Sequence, residues 1–339
     1  YKNATAEPIM PDAGAPGPEQ TDALTPTPSM PVVTEEVVSP EPEETGEPEP
    51  TPEPLPEFSP APVEGTEPSK LIIETAVEVN GKIAEDYVSE EMIDFGYGAD
   101  YTDLEGIITF RGNNFRDSAS YGFANLSERR FGRYWTKATA SLQAPDGAVW
   151  TGNGWTGQPL IVRWPRETRA VMKNMHDWAR QQEELTEVIY PAMDGYVYFL
   201  ELDTGKATRD ALYIGYTFKG AGALDPRGYP LLYVGAGYDS NRGKSRAFII
   251  SLIDGSILYE FGSNDGFALR AWPMFDSSPL VDAETDQLIY PGENGILYII
   301  RLNTRYDSQA GTVSVDPDRV VKWRYKGVRT GGQYWLGME

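Results

Sequence analysis

Three short stretches carry side chains suited to directed contacts with a ligand. They are Asn153, Trp155 and Gln158; Asp225, Arg227 and Tyr229; and Arg270, Trp272, Asp276 and Ser277. Aromatic rings beside guanidinium, carboxylate and amide groups suit a glycan or peptide, through ring stacking and directed hydrogen bonds. The competing reading is structural: Trp155 and Trp272 pack between sheets, while Arg227 and Arg270 pair with Asp225 and Asp276. Catalytic chemistry has less support. The single histidine, His176, stands beside Met175 and Trp178 in a helical pattern and reads as a packing or surface residue. Asp276-Ser277-Ser278 suggests a serine nucleophile, but its place before an apolar run reads as a turn. There is no Gly-x-Ser-x-Gly, no phosphate-binding Gly-rich loop and no zinc spacing. With no cysteine in the chain, disulfides, thiolate metal sites and thiol nucleophiles are excluded. The expectation is a protein without catalytic residues, metal ligands or a cofactor.

The composition divides the chain. Residues 1–70 hold 17 of the 27 prolines and 15 acidic residues against two lysines. Their aromatic residues are Tyr1 and Phe58 alone. So little apolar surface does not offset the entropy of ordering, and this segment is expected to be a disordered acidic stalk. Its clearest stretch, residues 47–54, alternates Glu or Thr with Pro and favours an extended chain. A spacer at a cell surface fits, so the expected location is extracellular or surface-attached. The remainder is long enough for a real core. The chain's net charge of −22 argues against a nucleic-acid partner. No run of about 18 apolar residues exists, so no membrane span is expected.

Residues 71–105 read as a lead-in strand and linker. Leu71–Val79 is apolar and β-branched and stops at the turn signal Asn80-Gly81. Beyond it an internal repeat appears. Tyr190, Pro191, Gly195, Tyr198, Leu202 and Thr204 recur 100 residues later as Tyr290, Pro291, Gly295, Tyr298, Leu302 and Thr304. A third copy, Phe248–Gly255, lies between, and Asp203, Asp254 and Asn303 fall in register at separations of 51 and 49 residues. Each unit of about 50 residues reads as four antiparallel strands. Pro159-Leu160, Pro230-Leu231 and Pro279-Leu280 open the apolar runs, and Asp194-Gly195 or Asn294-Gly295 turns the hairpin. The first two Pro-Leu pairs are 71 rather than 49 residues apart, which fits an amphipathic helical insertion at about 165–186 with Ala170, Val171, Met175 and Trp178 at helical spacing.

The fold class expected is therefore all-β, a β-propeller of four-stranded blades over 106–339. The stretch Asp194–Gly205 resembles the strand-turn pattern of the pyrroloquinoline-quinone-like propeller family. That family includes the bacterial outer-membrane assembly lipoprotein and the quinoprotein dehydrogenases. Ser278–Val281 resembles its blade opening, Phe110–Arg116 its first segment, and Val320–Tyr325 and Gly132–Trp135 its Trp-bearing outer strand. The set Phe110–Arg116, Gly154–Pro159 and Asp225–Gly228 looks closer still to clostridial-type surface proteins.

A further unit is expected to start near Val320, so the ring reads as incomplete, with about three to four blades. More blades beyond residue 339 would complete it, or self-association would close it. The loops entering each inner strand would line the mouth of a central channel, which is where the ten residues named above are expected. With those loop residues, the expected function is a surface-displayed propeller that binds a cell-wall polymer, peptide or partner protein without turning it over. The resemblance also leaves open a fragment of a quinone-dependent oxidoreductase, which would need pyrroloquinoline quinone and calcium, and a purely structural assembly scaffold. In the quinoproteins the quinone rests on a Trp floor against a vicinal disulfide, and this chain has no cysteine.

Overall fold

The computed structural model describes residues 63–65, 70, 73–154, 156–329 and 333–335. Almost all of the expected stalk, and Trp155, lie outside these residues. The described part is predominantly β, in three larger antiparallel sheets and two short hairpins. In the first sheet Gly106–Ile107, Leu160–Arg163, Thr186–Pro191, Tyr196–Glu201 and Leu212–Tyr213 follow one another in space as in sequence. The second runs Ala223–Leu224, Leu231–Gly235, Ala247–Ser251 and Ile257–Phe261. The third runs Leu280–Asp282, Gln287–Pro291, Ile296–Arg301 and Arg319–Arg329.

Alternation along the strands decides what each face meets. In the second sheet Leu232, Val234, Phe248 and Ile250 pack with Leu160, Ile189, Val197 and Phe199 of the first. Their neighbours Leu231, Tyr233, Ala247 and Ile249 pack with Leu288, Tyr290, Ile296 and Tyr298 of the third. The second sheet thus lies between two apolar layers, which is why Leu231–Gly235 and Ala247–Ser251 are buried at every position. Each fully buried Leu, Ile or Phe in these layers contributes roughly 1.5–3 kcal/mol.

The repeat hairpins form where expected. Asp194 Oδ1 accepts the Tyr196 N–H at 3.0 Å and Asn294 Oδ1 the Ile296 N–H at 3.2 Å. It is the following glycine, at φ 86° in Gly195 and 83° in Gly295, that takes the left-handed conformation. Four expectations change. Leu231–Gly235 is the second strand of its sheet rather than the first, which is the two-residue Ala223–Leu224. The insertion holds two short helices, Arg166–Val171 and Asp177–Gln181, and buries Met172, Met175 and Ala179 while Ala170 stays exposed. Val320 starts no new unit, because Arg319–Arg329 pairs with Ile296–Arg301 as the next strand of the third sheet. Finally, the lead-in strand is part of a sheet. Glu74–Val79 pairs with residues 321–326, and Lys82–Ala84 turns back on it through Asn80 and Gly81 at φ 48° and 79°.

One segment lies along the edge at which each of the three sheets starts. Gly106 and Ile107 pair with Val162 and Ile161 of the first. The Ile108 carbonyl accepts the Leu224 N–H of the second at 2.7 Å. Thr109 Oγ1 donates to the Pro279 carbonyl at 3.0 Å, and Tyr101 Oη accepts the Val281 N–H of the third at 3.3 Å.

Candidate functional site at the loops entering the sheets

The loops that lead into Leu160–Arg163, Ala223–Leu224 and Leu280–Asp282 meet at one end of the fold. Thr156 bridges Gly220 and donates through Oγ1 to the Lys219 carbonyl at 2.9 Å. Close approach needs residues without side chains. A Cβ on Gly154 would lie 2.2 Å from the Lys219 carbonyl oxygen, and one on Gly220 would lie 2.4 Å from that of Asp276.

At this junction Lys219 Nζ lies 3.5 Å from Asp276 Oδ2, with the two side chains 10% and 14% exposed. The ammonium also faces the rings of Trp150 at 5.3 Å and Tyr238 at 5.7 Å, and these rings are 5.1 Å apart. Glu293, from the hairpin of the third sheet, acts on Asp276 as a second carboxylate. Burial raises the Asp276 carboxyl, Lys219 opposes this, and Glu293 adds to it, leaving the group at about 7.

A stability prediction follows. The folded protein holds a proton on Asp276 that the unfolded chain, titrating near 3.8, has already released. This contribution is fully present below pH ~4 and is lost as pH rises toward 7. Asp276→Asn is expected to stabilise the protein at pH 8 by on the order of 2–3 kcal/mol and to change little at pH 4. Urea unfolding at both pH values measures it, and an equal shift at the two would reject this account.

The ten residues named from the sequence do not form one cluster. Asp276 is at the junction, and Ser277 Oγ donates to the Pro291 carbonyl at 2.5 Å, a structural role. Gln158 holds that edge segment, accepting the Arg111 N–H at 3.1 Å and donating to the Thr109 carbonyl at 3.4 Å. Asn153 lines a cavity of about 200 Å³ with Trp135, Tyr190 and Tyr198. Trp155 lies outside the described residues.

Asp225, Arg227 and Tyr229 are at the other end of the second sheet, in the turn between Ala223–Leu224 and Leu231–Gly235. There Arg227 grips the buried Asp225 through Nε at 2.8 Å and Nη2 at 2.6 Å, and reaches Asp286 at 2.7 Å. This is a clamp between turns of the second and third sheets. Arg270 does not pair with Asp276; its guanidinium stacks on Trp272 at 4.0 Å, and Trp272 is 53% exposed.

Lys219, Trp150, Tyr238 and Glu293 are absent from the residues expected on sequence grounds. The signal for Lys219 is the glycine density around it, Lys219-Gly220-Ala221-Gly222 and Gly235-Ala236-Gly237, which marks backbone packed on backbone. Among the described residues, no group of three or more His, Asp or Glu side chains is placed to hold a metal ion. No described helix is long and apolar enough to cross a membrane. A scan against protein-family models gives no match for this chain, and no curated protein matches it significantly.

Proposed function

We propose that the folded part is a sector of a β-propeller of the pyrroloquinoline-quinone-like type, displayed outside a bacterial cell on its acidic stalk. In this reading the end where the loops converge binds a cell-wall glycan polymer without transforming it. The observation that carries the reading is the segment 101–116. It forms the starting edge of the first sheet and bonds to the starting strands of the next two, an arrangement that suits sheets set around an axis. The third sheet supports the same succession. Ile289, Leu297 and Ile299, half-buried on its face away from the second sheet, repeat Ile189, Val197 and Phe199, by which the first sheet packs on the second.

The binding role rests on the residues at that end. Trp150, Tyr238 and Trp272 supply ring faces beside the Lys219–Asp276 pair and Arg270, a combination suited to sugars. Co-sedimentation of the full chain with purified bacterial peptidoglycan sacculi tests it. The expected result is a pelleted fraction that falls at least about fivefold in Trp272→Ala and Lys219→Met, with circular dichroism unchanged. His176→Ala, on the helical insertion, should pellet like the wild type. Equal pelleting of all variants would reject the site. A bound-chromophore absorbance on adding pyrroloquinoline quinone and Ca²⁺ would favour the oxidoreductase reading instead.

A further inference from the structure

Beside the junction, Lys244, Asn264, Asp265, Arg270, Pro273 and Asn294 line a cavity of about 460 Å³. This lies within the range of small-ligand sites, roughly 300–1,000 Å³. Its ionic groups are unequally committed. Asp265 is neutralised by Lys322 at 2.8 Å and accepts the Tyr298 hydroxyl at 3.0 Å. Lys244 pairs with Asp239 at 2.6 Å. Asn294 uses both ends of its amide, accepting from Ile296 and donating to Tyr298. Arg270 has no carboxylate partner among the described residues and rests on the Trp272 ring. Asn264, exposed on a left-handed turn at φ 50°, has no hydrogen-bond partner among them either.

The Arg270 guanidinium lines the cavity with no carboxylate upon it, in a chain of net charge −22. Its planar fork matches a carboxylate in two parallel hydrogen bonds. The half-exposed Trp272 offers a surface for the C–H face of a sugar ring, and the Asn264 amide offers a donor and an acceptor for hydroxyls.

We propose that this cavity binds an acidic sugar, with Arg270 holding the carboxylate, Asn264 at its hydroxyls, and the free face of Trp272, on whose other face Arg270 rests, beside the ring. The inference names a ligand class for the face proposed above and rests on that reading of the face.

Isothermal titration calorimetry of the full chain with D-glucuronate, D-glucose and acetate tests it. Glucuronate is expected to bind saturably, with glucose and acetate each at least about tenfold weaker. Arg270→Gln should weaken glucuronate by about tenfold or more, and Arg270→Lys should recover part of it. Binding of glucose or acetate equal to glucuronate, glucuronate binding unchanged in Arg270→Gln, or no glucuronate binding overturns the proposal. The two readings fail separately. Sacculi that pellet the chain while glucuronate does not bind leave the wall-binding face standing and remove the acidic sugar. Glucuronate bound through Arg270 without pelleting does the reverse.

Discussion

Glu187→Ala is expected to destabilise the protein by about 3–5 kcal/mol. Glu187 and Arg209 are both fully buried, and their closest atoms are 2.7 Å apart. The carboxylate also accepts the Trp164 indole N–H at 3.0 Å and the Thr208 hydroxyl. Arg209 donates onward to the Leu252 carbonyl at 2.9 Å and to Asn174 at 3.1 Å, with the Phe199 ring 4.6 Å away. The pair therefore ties together the first sheet, the helical insertion and the second sheet. With every donor and acceptor occupied, the ion pair is tolerated in an apolar layer. Without the carboxylate, the guanidinium keeps its charge in a site closed to water, and that desolvation sets the cost. Urea denaturation of Glu187→Ala beside the wild type gives the value. The double variant Glu187→Leu/Arg209→Met should recover most of the loss, since it removes both charges. A loss below about 1 kcal/mol in the single variant would mean that water reaches the pair.

Gly220→Ala should cost about 2–3 kcal/mol and reduce sacculus binding together with stability. The new methyl would stand 2.4 Å from the Asp276 carbonyl oxygen and 2.8 Å from its carbon, both backbone atoms that cannot swing aside. Relief requires the loops of the second and third sheets to part. That movement separates Lys219 from Asp276 and opens the layer beneath. Gly266→Ala is the matched control, because a Cβ there meets nothing within 4 Å. Thermal melting of the two variants provides the comparison. If Gly220→Ala melts like Gly266→Ala, the loops are not packed as closely as the fold implies, and the candidate site loses its basis.

The elements legible in the sequence share one property: their determinants are local. The hairpin over Thr186–Glu201 and its copy over Gln287–Arg301 need only alternating apolar residues and an Asp-Gly or Asn-Gly turn, all within about 16 residues. Two expectations fail for local reasons as well. The first strand of the second sheet has only two residues, so the longer apolar run at Pro230-Leu231 reads as the start of the unit. The same shift puts Asp225, Arg227 and Tyr229 at the wrong end of the sheet. At the insertion, helical spacing runs on through residues 170–178, yet the chain breaks there between two short helices and buries the Met172 side.

Residue type and short spacing suffice for the repeat, for the strand-turn grammar of each unit and for the exclusion of thiol chemistry. Other features come only from packing. Glu74–Val79 joins a strand that begins 240 residues beyond Val79. Arg227 is committed to Asp225 and Asp286, whereas Arg270 is left on a tryptophan. Lys219, Asp276 and Glu293 arrive at one point from three separate loops. Pairing between distant segments depends on the faces that sheets present to one another, and no short window of residues contains that information.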